Sequence, residues 1–260
     1  MLRSPAVAGA FYPGEPKELS KMIADFLAQA RPPQITGRLR ALIVPHAGYV
    51  YSGPVAAFGY KLLADLLRHG EGIDNFILLG PAHTIGFSGV ALSSTDEWET
   101  PLGRVSLWRP PEVKPPFLYF DAAHKEEHCL EVQLPFLQFI LKEKDFKICP
   151  LILGEANPEA VAREIEKWLN EKTLLIISSD LSHYHPYQEA RELDKFTIDC
   201  VLKKQSALLE ERGEACGLTP ILTLLRLAHW RPALLDYCNS GDTAGDKERV
   251  VGYAAVAFSD

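Results

Sequence analysis

Three apolar runs of the sequence each end just before side chains that could bind a metal or transfer protons. The runs are 41–44, 76–79 and 174–178. In α/β proteins, ligands bind beyond the carboxyl ends of the strands. If the three runs form neighbouring strands that point the same way, their polar residues meet at one edge of the sheet. A single histidine after a strand is usually a turn or capping residue, so a shared site depends on that topology. The polar residues are His46, His83, Asp180 and His183.

Two further segments carry candidate residues. His128 and Glu131 are three residues apart, so on a helix they would share one face. Polar groups on the apolar side of such a helix are costly unless they are paired. The pair could therefore contribute to a site, but taken alone it is better explained as the solvated start of a helix.

Cys216 precedes a helix that is predicted to start near Pro220. A helix N-terminus lowers the pKa of a nearby thiol and favours the thiolate, which is the form that binds metals. The alternative for Cys216 is a buried structural cysteine.

The other histidines have weaker cases as functional residues. Two of them lie near the ends of predicted helices, where an imidazolium interacts favourably with the helix dipole. The loop 240–246 is rich in glycine and aspartate and could support a site, although such turns are common without a function. These histidines are His69, His124, His185 and His229.

The elements that must position these residues alternate between apolar strands and helices. Predicted strands cover 41–44, 76–79, 90–92, 104–107, 146–153, 174–178, 233–237 and 250–258. Predicted helices cover 53–68, 130–141, 158–169, 186–204 and 220–228. The last helix is expected to have Thr219 as its N-cap and Pro220 as its first residue.

Continuous apolar strands separated by helices predict an α/β fold. We expect a mixed, mostly parallel sheet that is flanked by helices on both faces. The Pro-rich stretch Arg109–Pro116 is predicted to be a surface loop. No repeat or low-complexity linker divides the chain, so we predict one domain over residues 1–260.

Composition and charge exclude several classes of protein. The chain has 260 residues, of which 47% are hydrophobic and 23% charged, as in ordinary globular proteins. The net charge of −7, without a basic cluster, argues against nucleic acid or an anionic membrane as the main partner. We expect no transmembrane helix and no signal peptide. Five cysteines without paired spacing predict a reducing, cytoplasmic environment.

The candidate residues lie within short motifs that follow one another along the chain. These are PAVAG and FYP at 5–13, PHAGY and YSG at 45–53, LGPAH at 79–83, EH at 127–128 with Glu131, SSDLSH at 178–183, CG at 216–217 and VGYAA at 251–255. In this order and spacing the motifs resemble those of the Memo family. Its bacterial and archaeal members are called AmmeMemoRadiSam system protein B. The resemblance covers essentially the whole chain.

The resemblance implies a single α/β domain similar to the class III, LigB-type extradiol dioxygenases, which are non-haem iron enzymes. Animal Memo proteins use two histidines and a cysteine at a metal site, and iron and copper are both associated with the family. The implied metal ligands in this chain are His46, His83 and Cys216. The implied catalytic residues are Asp180 and His183. Supporting or substrate-contacting roles are expected for His128, Glu131 and Tyr49.

Two positions depart from the family pattern. Ala82 stands before His83 where the family has serine, and Ser182 stands before His183 where the animal form has cysteine. These changes leave the implied ligands intact. Imidazole suits iron, copper and zinc, while a thiolate favours Cu(I), zinc or iron. We therefore expect iron or copper as the cofactor, with zinc as a further option.

Three functions are compatible with these residues. The first is a metal-dependent oxidoreductase that acts on O₂ or a small substrate. The second is a hydrolase in which Cys216 is the nucleophile and His46 or His183 the base. The third is a non-enzymatic metal carrier or peptide-binding adaptor, with radical-SAM and AMMECR-type proteins as the partners that the resemblance implies. The presence of several candidate histidines argues against the hydrolase, since a Cys–His pair needs only one histidine.

Overall fold

The computed structural model of the chain describes residues 1–142, 144–227, 230–243 and 245–260. The strands are β1 (Leu2–Arg3), β2 (Leu39–Val44), β3 (Asn75–Pro81), β4 (Val90–Leu92), β5 (Glu97–Thr100), β6 (Gly103–Leu107), β7 (Phe117–Tyr119), β8 (Lys147–Leu153), β9 (Thr173–Ser178), β10 (His183–His185), β11 (Arg231–Asn239) and β12 (Val250–Ser259). The helices are α1 (Pro16–Gln29), α2 (Tyr49–Arg68), α3 (Ala122–Lys125), α4 (Leu134–Ile140), α5 (Pro158–Glu166), α6 (Tyr187–Leu202), α7 (Ser206–Arg212), α8 (Leu218–Leu227) and α9 (Ser240–Thr243). A 3₁₀ turn, Glu131–Gln133, leads into α4.

Four parallel strands form the centre of the sheet, in the order β8–β3–β9–β2. The antiparallel strand β12 continues the sheet beside β2, and β11 and β10 both pair with β12. On the other side, β6 pairs with β8 and is followed by β5 and β1. The carboxyl ends of the four central strands therefore lie at the same edge of the sheet.

Both faces of the central sheet are buried, because successive side chains of a strand point to opposite faces. In β3, Phe76 and Leu78 join the core that includes α1, α2 and α4, whereas Ile77 and Leu79 join the core that includes α5 and α8. Burial on both faces explains why these strands are apolar runs without alternation. The predicted fold class, a mixed and mostly parallel sheet flanked by helices, is confirmed.

Four of the five predicted helices begin at other residues in the structure. Two of these are α2, which begins at Tyr49, and α6, which begins at Tyr187. Helix α8 begins at Leu218, so the assignment of Thr219 as N-cap and Pro220 as first residue is wrong. Proline still fits there, since the first N–H groups of a helix have no partner within it. The predicted helix 130–141 is a 3₁₀ turn followed by α4. The predicted end of α8 at 228, and His229, lie outside the described residues.

Candidate metal centre

Three of the four central strands are each followed, two positions beyond their last residue, by a polar residue of the predicted site. His46 follows β2, His83 follows β3 and Asp180 follows β9. The three strands are parallel neighbours in the order β3–β9–β2. The topological condition for a shared site is thus met, and the three residues lie at one edge of the sheet.

The two histidines meet a cysteine that comes from a distant part of the chain. Nε2 of His46 lies 3.2 Å from Sγ of Cys216, and the rings of His46 and His83 are 5.1 Å apart. One donor atom from each of the three residues lies within 4.8 Å of the other two. Donors that share a transition metal are about 3 to 4 Å apart, because each bond is about 2.0 to 2.3 Å long. The three residues therefore fit a metal ion after a small contraction.

Cys216 is held against the loop that follows β9. Its Sγ accepts the N–H of Asp180 at 3.2 Å, and its own N–H donates to the Asp180 carbonyl at 3.3 Å. Glycine at 217 permits this approach, since a Cβ there would lie 2.5 Å from Cβ of Ser179. The expected low thiol pKa is wrong for the metal-free protein: burial, followed by the nearby Asp180 carboxylate, raises the pKa of Cys216 to about 12. A metal cation would reverse this balance and favour the thiolate.

A buried carboxylate, Glu127, orients two of the imidazoles. Its Oε1 lies 3.0 Å from Nδ1 of His83 and 3.1 Å from Nδ1 of His128. The same oxygen accepts the N–H groups of His128 and Cys129, and Oε2 accepts the N–H of His83. Burial alone would raise the pKa of Glu127, but the hydrogen bonds from His128 and His83 outweigh it and hold this pKa well below its ordinary value. Both rings therefore have Nε2 left for a metal or substrate.

Glu131 lies outside the site and forms part of a buried ion pair. Its carboxylate pairs with Nη1 of Arg3 at 2.7 Å and accepts the hydroxyl of Tyr12 at 2.6 Å. It does not share a helix face with His128, which precedes the 3₁₀ turn. The expected contact of Glu131 with the site is therefore not found. Instead Glu131 anchors the N-terminal segment, which brings Phe11 to within 4.7 Å of the His128 ring.

Tyr49 also points away from the site. Its hydroxyl donates to the carbonyl of Val132 at 2.7 Å, and its ring packs 5.1 Å from that of Phe136 in the core. Tyr51, two residues later, lines the cavity instead. The two tyrosines lie on opposite sides of the first turn of α2, and motif spacing did not separate them.

Asp180 and His183 lie on the wall of the same cavity, which has a volume of about 600 Å³. Oδ1 of Asp180 accepts the N–H of His46 at 2.7 Å. Burial raises the pKa of Asp180, although this N–H and that of Ala47 favour the charged form. The structure thus brings together His46, His83, His128, Asp180 and His183 around one cavity. Cys216 borders a neighbouring cavity of about 580 Å³.

Sequence reasoning missed Glu127, which lies behind the imidazoles of His83 and His128, and several residues that line the cavity. Glu127 stands beside His128 in the sequence, and that adjacency was the signal that could have identified it. Four other residues line the cavity: two of them lie within the FYP and VGYAA motifs without having been singled out there, and nothing in the sequence pattern marks the remaining two. The four residues are Phe11, Tyr184, Arg249 and Tyr253.

The three histidines with weaker cases that lie within the described residues have local partners away from the three donors. The ring of His185 contacts the Glu214 and Glu189 carboxylates. Nε2 of His124 lies 3.1 Å from the carbonyl of Ala91, inside the protein. His69 caps the C-terminus of α2, in agreement with its predicted position near a helix end.

The fold and the site together define an α/β protein with a His–His–Cys cluster at the carboxyl edge of its sheet. The sequence profile of the Memo-like proteins matches residues 3–257, and the chain belongs to the Memo family. None of the helices in the described parts of the chain is long and apolar enough to cross a membrane.

Relatives agree with this assignment, and a solved structure agrees with the fold. A MEMO1 family protein of Sulfurisphaera tokodaii is 40% identical over the full length of both chains. MEMO1 family proteins of Archaeoglobus fulgidus and Aquifex aeolicus are each 37% identical, with 99% of both chains covered. The crystal structure of an uncharacterized protein from Escherichia coli K12 has a TM-score of 0.52 and 12% identity, and covers 85% of this chain and 100% of its own. At that identity, the likeness supports the fold alone.

Proposed function

We propose that this protein binds one redox-active metal ion, iron or copper, through His46, His83 and Cys216, and acts as an oxidoreductase on a small substrate. The observation that carries the proposal is the convergence of these three donors beside a cavity of about 600 Å³. Two imidazoles and one thiolate leave coordination positions for further ligands. A bound iron or copper ion would supply the electron transfers that protein side chains lack.

The chain's own residues prepare the donors and the cavity. Glu127 holds Nδ1 of His83, which leaves Nε2 without a proton and able to bind a metal. The same carboxylate holds Nδ1 of His128, so Nε2 of His128 is available to exchange a proton with a molecule in the cavity. His183 stands on the same wall and could provide a second acid–base group.

The cavity lining limits what it admits. Aromatic side chains, among them Phe11, Tyr51 and Tyr253, form much of its wall and offer apolar contacts to a bound molecule. Its volume suits a small molecule and not a folded protein domain. These features support a small molecule as the substrate.

One distance favours a second candidate, a hydrolase with Cys216 as nucleophile. Sγ of Cys216 and Nε2 of His46 are 3.2 Å apart, as in a nucleophile–base pair. Such a pair works as thiolate and imidazolium. Here burial lowers the pKa of His46 well below its ordinary value and raises that of the thiol to about 12. Both shifts favour the neutral pair, and we rank the hydrolase second.

Metal content after anaerobic purification tests the proposal. We expect close to one equivalent of iron or copper in the wild type, and a loss of at least tenfold in His46→Ala and in Cys216→Ala. The matched controls are His69→Ala, at the end of α2, and Cys238→Ala, on β11. Both controls should keep the wild-type metal content.

Oxygen consumption by the metal-loaded protein is the next measurement if the metal is present. A wild type that neither contains nor takes up iron or copper would contradict the proposal. In that case, rapid alkylation of Cys216 by iodoacetamide would favour the hydrolase. Slow alkylation would leave the non-enzymatic adaptor, tested by binding of peptides and of radical-SAM and AMMECR-type proteins.

A further inference from the structure

His46 differs from His83 in that no carboxylate holds its Nδ1. Nδ1 of His46 lies 2.9 Å from the hydroxyl oxygen of Ser178, the last residue of β9. That oxygen lies 2.8 Å from Nε2 of Gln133, in the 3₁₀ turn before α4. All three side chains are at most 2% exposed. The tautomer of His46 is therefore set by a neutral hydrogen-bond network that is closed to solvent.

Carbonyl oxygens can only accept hydrogen bonds. The two backbone carbonyl groups in this network therefore fix which of the other atoms donate and which accept. The amide of Gln133 lies 3.0 Å from the carbonyl of Pro45, so the atom at that position must be the NH₂ group. The amide oxygen of Gln133 then accepts the hydroxyl of Tyr60 at 2.7 Å. The orientation of the amide is thus fixed from both of its ends.

The same reasoning fixes the hydroxyl of Ser178. Its oxygen lies 2.6 Å from the carbonyl of Cys129, and the single hydroxyl proton must be donated there. The oxygen also receives one N–H from Gln133, so it offers only a lone pair to His46. Nδ1 of His46 must therefore carry the proton, and Nε2 presents its lone pair towards Cys216.

We propose that Gln133 and Ser178 are positioning residues that lock His46 in the Nδ1–H tautomer and so prepare Nε2 for the metal. The statement about the metal rests on the proposed function, whereas the statement about the tautomer concerns the metal-free protein as well. Free histidine favours the Nε2–H tautomer slightly, and that tautomer would direct a proton at Sγ of Cys216. The thiol of Cys216 does not impose the Nδ1–H tautomer on His46, whereas the hydrogen bonds of Ser178 and Gln133 do.

A hydrogen-bonded partner of a ligand commonly changes metal affinity by 10- to 100-fold when it is removed. In Ser178→Ala, Nδ1 of His46 loses its acceptor and Gln133 loses one of its own. The Nε2–H tautomer, which can donate to Sγ of Cys216, then becomes favourable. We expect the Kd for Zn²⁺, used as a probe, to rise about 10- to 100-fold in Ser178→Ala and by a smaller factor in Gln133→Met.

The direct test is ¹⁵N NMR of the metal-free wild type and Ser178→Ala, with labelled histidine. The signals are assigned to His46 by their absence in His46→Gln. We expect the wild type to carry the proton on Nδ1 of His46, and Ser178→Ala to shift it to Nε2. A wild type with the proton on Nε2 overturns the proposal, and this spectrum does not require any variant to fold.

Ser182→Ala is the matched control, because it removes a second buried serine hydroxyl close to the same loop. Among the described residues, Oγ of Ser182 forms no hydrogen bond with the network of His46, Ser178 and Gln133. This variant should keep the tautomer of His46 and the wild-type Kd for Zn²⁺. An unchanged tautomer in Ser178→Ala would also overturn the proposal. If the wild type shows the Nδ1–H tautomer but binds no metal, the proposed function fails and the tautomer assignment stands.

Discussion

Two buried carboxylates lie four residues apart and serve different parts of the molecule. Glu127 receives its hydrogen bonds from two imidazoles and from backbone N–H groups at the cavity. Glu131 pairs with the guanidinium of Arg3 and holds the N-terminal segment. The first carboxylate therefore orients imidazoles at the cavity, and the second holds the N-terminal segment in place.

The comparison shows that burial and charge alone do not identify a functional carboxylate. Both side chains are almost completely buried, with exposures of 1% and 0%. The partners make the difference: a histidine can bind a metal or exchange a proton, whereas an arginine stays charged and only pairs. Variants of the two residues should separate stability from metal binding.

The largest expected effect is on stability, in Glu131→Gln. The substitution leaves Arg3 as an unpaired charge that is only 6% exposed. Breaking a buried ion pair on one side costs about 3 to 5 kcal/mol. We expect urea unfolding to show a loss of this size. The Kd for Zn²⁺, measured under conditions where the variant is folded, should stay within about threefold of the wild type.

A large loss of metal affinity in folded Glu131→Gln would contradict the different roles assigned to Glu127 and Glu131. Arg3→Met serves as the reciprocal variant, since it removes the charge from the other partner. It should also destabilise the protein without changing the metal centre.

Glu127→Gln should have the smaller effect on stability and the larger one on metal binding. The amide offers one acceptor oxygen in place of the carboxylate and places an NH₂ group against imidazole N–H groups. Loss of this orienting group should raise the Kd for Zn²⁺ about 10- to 100-fold. Equilibrium competition with a chelator measures it.

The pH dependence of stability provides a second readout of the same variant. Because the folded pKa of Glu127 lies well below its ordinary value of 4.5, its carboxylate stabilises the fold above about pH 4.5. This contribution is lost as the pH falls through the folded pKa. In metal-free protein we therefore expect Glu127→Gln to lose less stability than the wild type on acidification below pH 4.5. Parallel pH profiles would contradict this assignment.

The fold and part of the site could be predicted because they depend on local patterns. Apolar runs mark the central strands. Once the strand ends are known, the polar residues that follow them can be placed at the edge of the sheet. The choice between Glu127 and Glu131 depends on where the 3₁₀ turn begins and on Arg3, which is more than 120 residues away. Tyr49 and Tyr51 differ only by rotation about α2. Such distinctions require the tertiary structure.

The low thiol pKa that was expected for Cys216 shows a further limit. The position of Cys216 before a helix was predicted, but its burial was not, and burial dominates the thiol pKa in the metal-free protein. The network of Gln133 and Ser178 is likewise defined by distances between four segments of the chain. Residue types alone do not show which atoms donate and which accept.

X-ray absorption of the anaerobically purified, metal-loaded protein tests the central claim most directly, because it counts the donors on the metal. The account predicts one sulfur and two imidazole nitrogens in the wild type. The sulfur should disappear in Cys216→Ser and remain in Cys238→Ser. A wild-type metal that is surrounded by nitrogen and oxygen alone, or a sulfur signal that survives in Cys216→Ser, would contradict the His46–His83–Cys216 centre.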